Sequence, residues 1–312
     1  MKDINVLNRA WWKEGVIYQI YPRSFKDTTG NGIGDLQGII QKLDYIASLG
    51  VTMVWLNPIY ESPNDDNGYD ISDYRAIMSE FGTMEDFSEL LEGLHERNIK
   101  FIMDVVVNHS SDEHEWFKQS RSSRDNPYRD YYHWWPAEKG KPNHRWSFFD
   151  ENSDAWKYDA QTNAYYLHYF SQKQPDLNWE NPKVRQEVYN IMKFWADKGV
   201  DGFRLDAFQF VSKDIEFPPF PEGYDDNIPS VIKYHGMGPH IHHYLREMYN
   251  EVLSKYDVFA VSEGAGSTLD DAHSIVDEDR NELQMVYHFE GTDLVSSLDK
   301  CTLKDFKASF TK

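Results

Sequence analysis

Three stretches decide the fold: Val51-Thr-Met-Val-Trp-Leu56, Phe101-Ile-Met-Asp-Val-Val-Val107 and Val200-Asp-Gly-Phe-Arg-Leu205. Each is short, apolar and rich in β-branched residues, which is the composition of a strand buried on both faces. Helical patterns stand between and around them. Asp35 caps a helix with Leu36, Ile39, Ile40, Leu43 and Ile46 on one face, and Gly50 sits where it stops. Thr83 and Asp86 open a second helix with Phe87, Leu90, Leu91 and Leu94 inward. Asn181 followed by Pro182 opens a third, with Val184, Val188, Ile191, Met192 and Trp195 inward and Gly199 at its end. Outside this frame, Val16–Tyr21, Val258–Val261 and Met285–Phe289 read as three more strands. Strands alternating with helices imply a parallel sheet. An open doubly wound sheet and a closed eight-stranded barrel both fit the local pattern.

One interval is out of step. About ninety residues separate the third and fourth strands, far more than a single crossover helix needs. Residues 109–174 are polar, aromatic and rich in turns, and they read as a small inserted subdomain. Residues 1–108 then hold strands one to three, and residues 175–312 hold strands four to six.

Composition narrows the function classes. The chain has 312 residues, with 32 Lys and Arg against 52 Asp and Glu, a formal charge of −20. A nucleic-acid partner needs a basic face, and an anionic membrane surface needs basic residues, so neither is expected. No run approaches the ~20 apolar residues that cross a bilayer. No secretory signal is visible at the start, and the one cysteine, Cys301, fits a reducing cytoplasm.

The chemistry sits at the strand ends. In a parallel barrel the site lies at the carboxyl ends of the strands. Strand three runs into His109, strand four ends in Gly202-Phe-Arg204-Leu-Asp206, and strand five runs into Glu263. Arg204 and Asp206 are two apart on a strand, so they share a face. Two carboxylates beside a guanidinium, with no nucleophilic Ser or Cys motif, suggest glycosidic chemistry. Arg204 would keep Asp206 ionised, and a shielded Glu263 could hold its proton at neutral pH. A structural ion pair at the barrel rim would explain Arg204 and Asp206 equally well.

The motifs decide between these readings by resemblance. Trp11-Trp-Lys-Glu-Gly-Val-Ile-Tyr-Gln-Ile-Tyr-Pro-Arg-Ser-Phe25, Glu61-Ser-Pro-Asn-Asp-Asp-Asn-Gly-Tyr-Asp-Ile-Ser-Asp-Tyr74, Asp104-Val-Val-Val-Asn-His109, Gln174-Pro-Asp-Leu-Asn-Trp179 and Gly202-Phe-Arg-Leu-Asp206 follow in order. They are similar to those of the α-amylase-type glycoside hydrolases, especially the α-glucosidase and oligo-1,6-glucosidase branch. The resemblance implies a (β/α)8 TIM barrel with a subdomain after strand three. It implies Asp206 as nucleophile and Glu263 as general acid/base of a retaining mechanism, with carboxyls ~5–5.5 Å apart. It also implies that Asp66, Tyr69, His109 and Arg204 grip a terminal glucose, with Phe170 and Gln174 close by. The expected substrate is a small oligosaccharide, and no cofactor is required for the chemistry.

This chain departs from the family pattern in three places. The family's third acidic residue follows strand seven in an Asn-His-Asp motif, and this chain stops at Lys312 after six readable strands. It is expected to be an incomplete barrel lacking strands seven and eight and the C-terminal β-domain, inactive as such a fragment. Asp27-Thr-Thr-Gly-Asn-Gly-Ile-Gly-Asp35 resembles the branch's loop for Ca2+ or Mg2+, with Asp27, Thr29, Asn31, Ile33 and Asp35 at the ligand positions. Thr29 and Asn31 replace the family's Asn and Asp, and a plain glycine turn before a capped helix explains the string as well. Ala207 follows the nucleophile where oligo-1,6-glucosidases carry Val. By analogy with that family, a small residue there goes with a slight lean toward α-1,4 linkages of the maltose type, ~1–3 kcal/mol.

Two rivals remain open at this point. A glucosyl-transferring or sucrose- or trehalose-isomerising enzyme of the same family would keep both carboxylates. A non-catalytic or transporter-associated relative would carry a membrane span. His235, His240, His242 and His243 lack metal-ligand spacing and read as surface residues.

Overall fold

The computed structural model describes residues 10–149, 154–221, 234–264, 269–277, 279–287, 289 and 302–309. Among these, β1 (Ile17–Ile20), β2 (Met53–Leu56), β5 (Lys100–Val106), β9 (Gly202–Asp206), β10 (Phe259–Ser262) and β11 (Met285–Val286) form one parallel six-stranded sheet in that order. All six strands anticipated from the sequence are present, with ends shifted by a few residues. The last is the most reduced, and His288 of its anticipated span lies outside the described residues.

The sheet is curled, and side-chain contacts prove it. Trp55 of β2 and Tyr287 just beyond β11 have ring centroids 6.0 Å apart. Four strand spacings of about 4.8 Å would hold them far apart in a flat sheet. Alternate residues divide between the two faces. Met53, Trp55, Ile102, Phe259 and Val261 point inward to one apolar cluster. Val54, Leu56, Phe101, Met103, Val105, Phe203 and Leu205 point outward to the helices. Gly202 lacks a side chain because a Cβ there would sit 2.7 Å from Phe259 and 2.9 Å from Ile102. The structure thus has the six-strand arc of a (β/α)8 barrel.

The helices pack on the outer face. The first anticipated helix is two, α1 (Leu36–Ile40) and α2 (Leu43–Ser48). The Lys42 amide bonds the Ile39 carbonyl, a tighter turn than the α-helix makes, and the chain restarts with Leu43 and Ile46 still buried. Asp35 caps α1 by accepting from the Gly38 amide. Thr83 and Asp86 make a reciprocal capping box on α3 (Met84–His95). Between β2 and α3 a hairpin, β3 (Tyr60–Glu61) with β4 (Asp73–Ile77), carries the second loop.

The described residues between 109 and 174 include α4 (Glu115–Ser122) and a three-stranded antiparallel sheet, with β8 (Ala164–Leu167) between β6 (Trp134–Pro136) and β7 (Trp156–Asp159). Phe117 stacks on Trp134 at 5.8 Å, so part of the aromatic richness is packing. After β8, α5 (Pro182–Asp197) returns the chain to β9, and α6 (Ile241–Met248) precedes β10. No described helix is long and apolar enough to cross a membrane.

Candidate active site

Parallel register brings the strand tips together. Asp104 on β5 lies opposite Arg204 on β9, and Arg204 lies opposite Val261 on β10, two residues before Glu263. These positions share the inward face. The Arg204 guanidinium donates to Asp104 at 3.0 and 3.2 Å, to Asp206 at 2.5 Å, and through its other nitrogen to Glu263. Its ring neighbours are Trp55 at 5.2 Å and Tyr69 at 5.8 Å.

One cation among three carboxylates fixes the electrostatics. Burial works against the Arg204 charge, and Asp104, Asp206 and Glu263 reverse it, so its pKa stands above the ordinary value. Burial and then the Asp206 charge push Glu263 up to about 8, against the pull of Arg204 and of the Ala207 amide. Burial pushes Asp104 up to about 7; Arg204 pulls it down and Asp206 pushes it further up. These groups titrate together.

Ala207 makes a sharp exit from β9. Its backbone is left-handed, φ 48° and ψ 24°, an unusual conformation for a residue with a Cβ. That turn aims its N–H at Glu263 Oε2, 3.0 Å away. The acid is thus held by the residue that follows Asp206.

The second loop supplies Asp66 and Tyr69. Asp70, fully buried, accepts from the amides of Asp65 and Asp66 and from the Ser62 hydroxyl, which winds the loop into a tight coil. Asp66 accepts from Gln174 Nε2 at 2.9 Å, and that nitrogen lies 3.1 Å from His109 Nε2. Burial pushes Asp66 up to about 6; the Gln174 bond opposes the shift and the Asp206 charge adds to it. His109 packs against Phe170, ring centroids 5.0 Å apart, and burial lowers its pKa, which keeps the imidazole neutral. Tyr69 donates to Asp104 at 3.1 Å and accepts from Asn57 at 2.8 Å. Asp66, Tyr69, His109, Phe170, Gln174, Arg204, Asp206 and Glu263 are therefore linked through direct contacts or a shared neighbour.

Sequence reasoning missed two parts of this arrangement. Asp104 is a carboxylate inside an apolar strand, and its parity with Arg204 was the available signal. Behind the site, Lys213 donates to Asn108 at 3.0 Å and lies 3.1 Å from Asp176, with both charges buried. Asn108 in turn donates to Asp176 and meets His109 Nδ1 at 3.3 Å. Nothing in the spacing of Asn108, Asp176 and Lys213 marks that contact. One expectation fails: His235 is buried at 2% exposure, edge-on to Tyr169 at 4.6 Å, because the segment before α6 packs inward.

The loop at 27–35 closes largely on itself. Asp27 accepts from the amides of Thr29, Gly30 and Gly32, and Asn31 accepts from Ile33. Asp35 accepts from Thr28 with one oxygen and from Gly38 with the other. Its side-chain donors are all oxygen, with two carboxylates. Among the described residues, this loop included, no three His, Cys, Asp or Glu converge as a metal site.

A parallel α/β barrel with acidic side chains converging at its strand tips is the class that fold and site define. The chain belongs to the alpha-amylase family, whose catalytic-domain model matches residues 19–311. It is 55% identical to an oligo-1,6-glucosidase of Bacillus cereus, over 98% of this chain and 56% of that protein. The solved trehalose-6-phosphate hydrolase of Bacillus licheniformis superposes with a TM-score of 0.86 at 49% identity, covering 92% of this chain and 50% of that one. The isomaltulose synthase of Protaminobacter rubrum superposes at 0.90 and 49%, covering 96% and 54%. The chain thus spans about half the length of the curated relatives it matches.

Proposed function

We propose that this chain carries the acid pair of a retaining, exo-acting α-glucosidase that releases glucose from the non-reducing end of short α-glucosides. An Asp206 oxygen bonds to the anomeric carbon as the glycosidic C–O bond breaks, and the departing oxygen takes the Glu263 proton. The sugar is then an ester of Asp206. Glu263, now a carboxylate, takes a proton from water. The water oxygen bonds to the same carbon as the ester bond breaks, releasing glucose with its original configuration. The first step needs an acid that is still protonated near neutral pH, and a carboxyl pushed up to about 8 meets that need. Asp66, Tyr69, His109, Phe170, Gln174 and Arg204 would hold the terminal glucose. The observation that carries the reading is one guanidinium bonded to both Asp206 and Glu263.

The full gene product should hydrolyse 4-nitrophenyl α-glucoside, and Asp206→Asn should lower kcat by about 10³-fold or more. Unchanged turnover in Asp206→Asn would sink the proposal. A transferring or isomerising enzyme is the second reading, favoured by the likeness to isomaltulose synthase. Incubation with sucrose or maltose, followed by product analysis, separates it: new disaccharides mean transfer, whereas free monosaccharides alone (glucose with fructose from sucrose, glucose from maltose) mean hydrolysis.

Three finer points belong to the proposal. The buried methyl of Ala207 leaves room that leans toward α-1,4 linkages, although the first relatives are named for α-1,6. A structural Ca2+ or Mg2+ would take oxygens of Asp27, Thr29, Asn31, Ile33 and Asp35; that all-oxygen set suits a hard cation, and no chemical step passes through it. Residues 109–174 would form a subdomain inserted after the third barrel strand, and the single cysteine favours a cytoplasmic setting.

A further inference from the structure

Away from the acid pair, a groove of about 270 Å3 lies between β6, the residues leading into α5, and the segment after β9. Its walls contain none of the residues grouped around Arg204 and Asp66. Its size is near the small end of ligand clefts, enough for about one hexose ring. Two tryptophans line it, with different freedom. Trp134 is committed, with Phe117 stacked on it and the Arg129 guanidinium 3.6 Å from its centroid. Trp135 is only half-buried; its Nε1 donates to the Gly140 carbonyl at 3.1 Å, which fixes the indole plane, and Lys139 lies 5.2 Å from the ring. Across the groove, Ile215 is 51% exposed, an apolar side chain facing water.

The polar lining is rich in acceptors. Asp130, Glu180 and Glu216 stand against one cation, Lys139. Such a lining repels phosphates and favours a neutral ligand that donates many O–H groups. His133 stands in the wall of the groove. It lines the groove at 6% exposure, and its Nε2 has no hydrogen-bond partner among the described residues. Burial and then the Lys213 charge hold its pKa well below the ordinary value, and a bond to the Leu177 backbone opposes them. That nitrogen is itself closed off from the groove, so it marks an unpaired polar atom behind the wall, an unfavourable spot, and not a contact inside the groove. The groove backs onto the buried Asp176–Lys213 pair, since the His133 amide reaches the Asp176 carbonyl at 3.4 Å.

We propose that this groove is a second, non-catalytic saccharide site that takes one ring of a neutral oligosaccharide, with Trp135 as its stacking platform and the carboxylates as acceptors. It stands apart from the catalytic reading, which only guides the choice of probe. The test is calorimetric titration of maltotriose into the full gene product carrying Asp206→Asn. Two sites are expected. Adding Trp135→Ala should weaken one of them by roughly tenfold or more. Ile215→Arg, which fills the groove from an exposed position, should do the same at an unchanged melting temperature. A single site that both substitutions leave unchanged, or two sites indifferent to both, overturns the proposal. Binding that vanishes completely with Trp135→Ala and Ile215→Arg would leave the groove standing and count against the catalytic pocket instead.

Discussion

Glu263→Gln should make the protein more stable, and increasingly so as pH rises. The Glu263 side chain is only 20% exposed, and its carboxyl is pushed from the usual 4.5 up to about 8. Below about pH 4.5 the group is protonated whether the chain is folded or not, and folding is indifferent to it. Between 4.5 and about 8 the unfolded chain gains by ionising and the folded chain does not, so stability falls. Above about 8 both forms are ionised and the loss is constant. The span of about 3.5 pH units, at about 1.36 kcal/mol each, sets an upper bound of about 5 kcal/mol. Glutamine keeps an oxygen for the Ala207 amide and gives Arg204 no charge in return. A net gain of about 2–3 kcal/mol at pH 9 is therefore the expectation, or roughly 4–8 °C in Tm. Melting curves of both proteins at pH 5, 7 and 9 measure it. The difference should be near zero at pH 5 and largest at pH 9. A difference that is flat across that range, or that shrinks as pH rises, refutes the assignment of a raised pKa to this site.

The same proton should set the alkaline limb of activity: kcat/KM should fall above pH about 8, read with an alkyl rather than an aryl glucoside so that protonation of the leaving group matters. Ala207→Val places a β-branched residue at φ 48°; it should lower stability by ~1–2 kcal/mol in urea denaturation and raise the isomaltose-to-maltose ratio of kcat/KM, by no more than ~200-fold. Lys213→Met leaves Asp176, a fully buried side chain, without its cation, and should lower the unfolding free energy by ~3–5 kcal/mol, with Lys213→Arg retaining part of the loss. Titration of Ca2+ into protein stripped with a chelator should raise Tm if the 27–35 loop holds the ion, and Asp27→Ala should abolish that rise.

How much of this was legible in the sequence depended on how local the cause was. Strands such as Met53–Leu56 and Gly202–Asp206 are buried on both faces, so they show as short continuous apolar runs and could be read. The cap at Asp35 and the box at Thr83 use neighbours within three residues. The choice between open sheet and barrel was not local, because curl rests on contacts such as Trp55 with Tyr287, 232 positions apart in sequence. Motif resemblance supplied that answer where periodicity did not. In the inserted segment the order β6-β8-β7 follows aromatic packing without clean alternation, and only its length was readable. His235 misled because its exposure is set by Tyr169, which arrives from the inserted segment. Asp104 is an acid in an apolar run, and it acquires meaning only from Arg204, the residue facing it across the sheet.

That facing residue explains why the site behaves as one unit. Asp104, Asp206 and Glu263 offer three negative charges to the single charge of Arg204 in a buried space. Full ionisation would leave two uncompensated charges, so a proton must stay on the cluster at neutral pH. Geometry decides where it stays. Asp104 meets Arg204 through both oxygens and accepts from Tyr69 as well, which favours its charged form. Glu263 has the Ala207 amide and one guanidinium nitrogen, beside the Asp206 charge. The proton therefore rests on the side chain where a departing sugar oxygen would need it. Neutralising Asp104 with Asn would relieve the crowding, draw Glu263 back toward ordinary values, and move the alkaline limb of the pH profile to lower pH. An unmoved limb in Asp104→Asn would mean that burial and the Asp206 charge, without Asp104, hold the proton on Glu263.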